Sequence, residues 1–286
     1  MIKAAVARAC IALLPFFGAA VCASSSAHAA EAAWVMNERS SIRVVAWGPS
    51  PDEPDAIVLG IHLRLQPGWE TYWRTPGDAG VPPDFFFDET ENVDELYVDW
   101  PLPERKVQAG MTTYVYKDEV LLPVTIYPHE ATQPVKFRMR VTYAACREVC
   151  TLEEADLALD VMPSAKDAKL TPLFEKNKAR MPILENTPEL AIDRVNGTDA
   201  DGKRRLEVVA RSNTAFVNPQ IIIEAAPGFA FKPATVAATM EGRRLVLRSE
   251  YTHPNNLAIG EGETVVVTVF DATHAIERIM LVYPPE

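Results

Sequence analysis

Cysteine, histidine and glycine are scarce in this sequence, acids outnumber bases, and no apolar run after the first thirty residues approaches a membrane span. Each shortage removes a class of function. A zinc site needs about four ligands, and His62, His129, His253 and His274 are scattered, so neither a zinc centre nor a Cys–His hydrolytic arrangement is readable. Isolated histidines of this kind read as surface residues. With 39 Asp and Glu against 28 Lys and Arg, a formal charge of −11, the surface is a poor match for nucleic acid or anionic lipid. The most apolar stretches, "VLLPVTI" and "TVVVTVF", are strand-sized, well short of the roughly 20 residues that cross a bilayer as a helix. The 13 Gly against 23 Pro fit β-rich structure with rigid connections.

The first thirty residues stand apart. "MIKAAVARAC" carries Lys3 and Arg8 and no acid, "IALLPFFGAAVCA" is a short apolar core broken by Pro15, and "SSSAHAA" offers Ala27-x-Ala29 for cleavage. This is the pattern of a secretory signal peptide over residues 1–30, and it places the mature chain in the periplasm. Val21 before Cys22 argues against lipoprotein processing. Cys10 and Cys22 leave with the leader, so the mature chain keeps only Cys146 and Cys150. Removing the positive charges of Lys3 and Arg8 takes the net charge from −11 to −13.

What remains is long enough for two domains that each bury a core without staples. "SIRVVAW", "DAIVLGIHLRLQ", "ELYVDW", "VLLPVTIY" and "VKFRMRVTYAA" alternate or run β-branched between Pro- and Gly-rich turns, which predicts a first β-sandwich over 31–163. Leu170, Leu173, Phe174 and Met181 then recur at helical spacing between Pro163 and Pro182, predicting a short helix in a linker over 164–187. Strand patterns resume in "RLEVVARS", "QIIIEAA", "TVAATM", "RLVLRSE", "TVVVTVFD" and "RIMLVYPP", predicting a second sandwich over 188–286, with "NGTDADGK" among its turns. All five Trp and both mature Cys precede the linker, so any chemistry belongs to the first unit.

"YAACREVC", residues 143–150, holds the two cysteines four apart. On a continuous strand they would sit roughly 13 Å from each other, whereas a disulfide needs Cα atoms about 4.4–6.8 Å apart. The strand must stop or turn between them, as one helical turn or as a tight connection to a returning strand "LEEADLALDV". Either places the pair at a strand end near solvent. Three readings stay open. As a staple the loop is small, about 2 kcal/mol on the chain-entropy estimate. As a metal clamp the pair could hold Cu(I), but no His lies within ten residues and Met139 and Met162 are not at ligand spacing. As a reagent, a dithiol in a small loop opens and closes readily and needs no cofactor. Arg147 is the one nearby cation, opposed by Glu148, Glu153 and Glu154, so no strongly activated thiolate is expected.

"VYKDEVLLPVTI" followed by "VKFRMRVTYAACREVCTLEEADLALDV" resembles the N-terminal periplasmic domain of the thiol:disulfide interchange protein DsbD family. "GWETYWRTPGDAGVPPDFFF" resembles its copper-suppressor, ScsB-like, branch. The resemblance runs over roughly 34–163 and, less specifically, the second β-domain. It implies an all-β protein of two immunoglobulin-like sandwiches joined by a short helical linker. It implies that Cys146 and Cys150 take electrons from a separate membrane-bound thioredoxin-like donor and pass them to oxidised periplasmic proteins. It further implies that a loop near 107–114 caps the cysteines, although "VQAGMTTY" lacks an aromatic residue at the cap's bulky position. Within "GWETYWRTPGDAG", Trp69, Tyr72 and Trp73 read as aromatic packing at a strand end, and Arg74 and Asp78 as a local pair.

Overall fold

Alternating and β-branched runs form the strands of this computed structural model, which describes residues 31–87 and 89–284. The leader expected over 1–30 lies outside the described residues. In chain order the first unit contributes β1 (Val35–Met36), β2 (Ser40–Pro49), β3 (Ile57–Leu65), β4 (Glu70–Gly77), β5 (Asp84–Phe86) and β6 (Glu95–Val98). It continues with β7 (Glu104–Gln108), β8 (Met111–Lys117), β9 (Glu119–Tyr127), β10 (Val135–Cys146) and β11 (Cys150–Val161). One sheet has the order β1-β2-β3-β9-β6 and the facing sheet β11-β10-β4-β8-β7, with β5 also paired to β10. Every pairing here is antiparallel. Alternation assigns the faces: Phe137, Met139, Val141 and Tyr143 of β10 and Ala155, Leu157 and Leu159 of β11 point inward against Val44, Leu59, Ile61, Leu122 and Val124.

β3 is buried along nearly all its length, because both of its faces are covered. On the outer face Val58 packs with Val45, Leu121 and the helix α1 (Thr171–Lys178), which lays Leu170 and Phe174 on the sheet. Pro172 suits the first turn of that helix, where its missing N–H costs nothing. Phe174 stacks on Trp47 at 4.9 Å, and the backbone N–H of Leu121 donates to Asn177 Oδ1 at 3.3 Å. Further along the same face His62 is 1% exposed, not a surface residue as its isolation implied. Trp34 folds over its ring at 4.9 Å and Glu119 Oε1 lies 2.7 Å from Nε2. Burial lowers the pKa of His62, outweighing Glu119, and favours the neutral ring.

The second unit runs β12 (Leu190–Ala200), β13 (Lys203–Ser212), β14 (Gln220–Glu224), β15 (Ala230–Phe231), β16 (Thr235–Thr239), β17 (Arg244–Thr252), β18 (Thr264–Phe270) and β19 (Ala275–Tyr283). "NGTD", read as turn, belongs to β12, and only Asp201 and Gly202 turn the chain. Strand order is β14-β18-β19-β12-β13-β17-β15, with β16 on β17. A parallel contact of two residue pairs, Val195↔Val282 and Asn196↔Tyr283, joins its two arms. Val208, Leu245 and Leu247 of one arm and Val265, Val267 and Ile276 of the other close on a single core. The described residues are therefore all-β apart from α1, in immunoglobulin-like sandwiches.

The arm β14-β18-β19 is covered twice. Its inner residues Ile223, Val265, Val267 and Val269 face their own core, while Ile222 and Phe270 join the core of the first unit. That double burial accounts for the unbroken apolar run "TVVVTVF". The segment after α1 fastens the same arm: Ile183 N–H donates to Ala275 O and Glu277 N–H to Ile183 O, both at 2.9 Å.

Candidate functional site

Cys146 ends β10 and Cys150 begins β11, directly opposite each other in register, and the two form a disulfide with Cα atoms 4.0 Å apart. Of the two connections open to "REV", the chain takes the tight return between antiparallel strands, closed by Arg147 N–H donating to Val149 O at 3.1 Å. Cys146 is also the register partner of Glu70 on β4. It is thus flanked by a strand on each side and is 3% exposed. Cys150, at the edge of the sheet, is exposed, as are its neighbours Val149 and Leu152, 70% and 67%. The pair joins a buried cysteine to an exposed one.

Directly opposed residues share a face of a sheet, so Lys117, Glu70, Cys146 and Cys150 form one row across β8, β4, β10 and β11. This is the outer face, since Tyr143 and Ala145 point into the core. Beside the row, Tyr72, Val115 and Ala144 pack with Cys146. The Tyr72 hydroxyl lies 3.9 Å from Cys150 Sγ. Burial first, and the Glu70 carboxylate second, raise the Tyr72 pKa against the opposing Lys106, so the phenol stays protonated. Glu70 accepts from Lys106 Nζ at 2.6 Å and Glu104 from Lys117 Nζ at 2.8 Å. Glu70 and Lys117 beside the disulfide are thereby each paired with an opposite charge on β7.

Arg147 does not lean toward a sulfur. Its guanidinium lies over the Trp69 ring at 5.5 Å, with Arg39 near the same ring at 4.9 Å. This contact ties the loop between the cysteines to the start of β4. The stretch 107–114, expected as a cap loop, is the hairpin of β7 and β8. The side chain set against Cys150 is Tyr72 of β4. Arg74 and Asp78 do not pair with each other. The guanidinium of Arg74 donates to Glu224 at 3.1 and 2.6 Å and to Glu277 at 2.6 Å, both on the second unit, while Asp78 accepts from Thr112 N–H at 2.7 Å. Arg74 lies within the register irregularity of β4 between Tyr72 and Gly77, and Asp78 just past the end of the strand.

Trp69, Tyr72 and Trp73 are buried, as the packing reading expected. Glu70 and Lys106 went unread, because register alone brings them to the cysteines. The period-2 offset of Glu70 and Tyr72 within one strand was the available signal. Among the described residues no group of three His, Cys, Asp or Glu is placed to hold a metal ion. No helix there is long and apolar enough to cross a membrane.

Residues 43–161 match the family described as thiol:disulfide interchange protein DsbD, N-terminal. Residues 180–283 match a domain of unknown function, DUF8393. No curated protein matches the chain significantly. Among solved structures the fold is similar to the N-terminal periplasmic domain of ScsB from Proteus mirabilis. The TM-score is 0.68 at 21% identity, over 90% of this chain and 99% of that one.

Proposed function

We propose, from the premise that residues 43–161 form a DsbD-family N-terminal domain, that Cys146 and Cys150 are a periplasmic thiol:disulfide exchange pair. One observation carries the reading: the disulfide joins a buried cysteine to an exposed one across the tight turn of a hairpin. A donor thiolate attacks Cys150 Sγ, the S–S bond breaks, and Cys146 leaves as a thiolate that takes up a proton. A second donor thiolate attacks the donor sulfur of the mixed disulfide and releases Cys150. The donor leaves oxidised, and the pair has gained two electrons and two protons. In the forward direction the Cys150 thiolate attacks the disulfide of an oxidised protein, and Cys146 resolves the adduct. The protonated Tyr72 hydroxyl beside Cys150 is placed to hydrogen-bond the sulfur as charge develops on it.

The donor is a membrane-bound protein with a thioredoxin-like face, and the substrates are oxidised periplasmic proteins. Single-cysteine variants test the assignment. Cys146→Ser keeps the exposed thiol and is expected to accumulate mixed disulfides in acid-quenched cells, seen on non-reducing gels and lost with dithiothreitol. Cys150→Ser keeps only the covered thiol and is expected to trap little. Equal trapping by both would overturn the assignment of Cys150, and no adduct from either folded, exported variant would overturn the exchange function.

A further inference from the structure

The second sandwich grips the strand that carries the cover of the disulfide. Between Tyr72 and Gly77, β4 advances five residues while its partner β8 advances only from Val115 to Thr113. The residues between leave the ladder as a bulge, a device that re-aims side chains. Trp73 goes into the first core, fully buried, and Arg74 lies over its ring at 4.2 Å. From there Arg74 reaches Glu224 of β14 and Glu277 of β19, and Thr75 Oγ1 donates to Glu224 Oε1 at 2.5 Å. Glu277 also accepts from the buried Thr268 at 2.9 Å, so that carboxylate is fixed from within the second unit.

Past the bulge, two glycines bring the chain back to the tyrosine. Gly77 has φ +91°, and a Cβ there would lie 2.4 Å from Thr112 O. Gly80 has φ +120°, and its Cβ would fall 2.4 Å from the Tyr72 ring. Tyr72 is thus seated between a strand start tied to Cys146 through Glu70 and a bulge held by another domain.

We propose that Arg74, Glu224 and Glu277 are positioning residues through which the second sandwich holds Tyr72 against Cys150 Sγ and so restricts thiolate access to the disulfide. The proposal rests on the reading that Cys150 is the sulfur attacked. It gives the second unit a part in the exchange without a reactive group of its own. Releasing the bulge leaves the disulfide intact but lets the phenol move from it.

The experiment follows reduction of the disulfide by dithiothreitol in the full exported chain, with alkylation at timed intervals. The variants are Glu224→Gln with Glu277→Gln, Tyr72→Ala, and all three together; near-ultraviolet circular dichroism establishes folding. The glutamine pair and Tyr72→Ala are each expected to accelerate reduction severalfold, and the combination is expected to be no faster than Tyr72→Ala alone, because both act through one ring. A glutamine pair that reduces at the wild-type rate, or effects that multiply, would overturn the proposal. So would Tyr72→Ala at the wild-type rate. Should the glutamine pair fail to fold, Glu277→Gln alone leaves the two-pronged Arg74–Glu224 contact and is expected to give a smaller acceleration, the wild-type rate again being contrary. The equilibrium potential of the wild-type pair, measured separately, tests the exchange function itself: a structural staple would have a low potential, yet its reduction rate would still report the seating of Tyr72.

Discussion

Tyr143 shows how single residues on the inner side of the cysteine strand are secured. Its hydroxyl lies 2.6 Å from Ser40 Oγ and accepts from Asn37 Nδ2 at 3.0 Å, while Glu153 accepts from Ser40 and from Arg39 N–H. Burial, chiefly, pushes the phenol pKa up to about 12, against the hydrogen bonds it shares with Ser40 and Asn37. A raised folded-state pKa means that the neutral phenol is favoured in the fold. Its contribution is complete below about 10 and is lost as pH rises toward about 12. Tyr143→Phe is therefore expected to cost about 1 kcal/mol at neutral pH and to remove that alkaline loss, as denaturant melts across pH would show. Asp271 has the opposite sign. It accepts from the N–H groups of Val217, Thr273 and His274 and pairs with the buried His274, which together outweigh burial and lower its pKa from 3.8 to about 2. Its stabilisation is present above about 4 and lost as pH falls through about 2. Asp271→Asn is expected to destabilise the second sandwich by about 1–3 kcal/mol at pH 7 and to flatten its acid limb in thermal melts followed by circular dichroism.

At the scale of elements, the long hairpin β10–β11 carries the cysteines on a ladder of twelve register pairs, from Val135↔Val161 to Cys146↔Cys150. The disulfide closes only the last of them. Cys146→Ala with Cys150→Ala should thus lower stability by at most about 2 kcal/mol relative to the oxidised protein, measured by denaturant unfolding; loss of folding would contradict this. Much of this hairpin was legible, because "VKFRMRVTY" and "LEEADLALDV" alternate with period 2 and the spacing of the cysteines required a turn. The helix was legible from Leu170 and Phe174, whose spacing matches the face laid on Val58 and Leu121. The end of β12 was less so. "AIDRVNGTDA" contains Asn, Gly and Asp, turn-formers by local preference, yet pairing with β13 holds them in a strand. His62 was misread for a related reason: a strand covered on both faces buries nearly every residue, polar ones included, and nothing local announces the cover that Trp34 provides.

For the whole molecule, what the sequence left dark was the contact between sandwiches. Arg74 and its partners lie 150 and 203 positions apart, so no local pattern joins them, and a nearby Asp78 made a false pairing attractive. The contact is partly buried and charge-rich: the two carboxylates outweigh the burial penalty and hold the Arg74 pKa above its ordinary value. Its apolar part, Ile222 and Phe270 joining the first core, was foreshadowed only by the continuous hydrophobicity of "TVVVTVF". The aromatic block, by contrast, reads as packing at a strand end, and Trp69, Tyr72 and Trp73 are buried there. Its members take separate positions: Trp69 under Arg147, Tyr72 at Cys150, Trp73 in the core, Arg74 on the second sandwich.

Whether this arrangement serves exchange or merely holds a staple is decided most directly by the reduction potential of the Cys146–Cys150 pair. The exported protein would be equilibrated in glutathione and dithiothreitol buffers of graded potential, acid-quenched, and its free thiols counted by alkylation and mass shift. An exchange pair with one open sulfur is expected to titrate as a two-electron couple with its midpoint above about −300 mV. A pair still fully oxidised well below that value would be a structural disulfide, and would contradict the account.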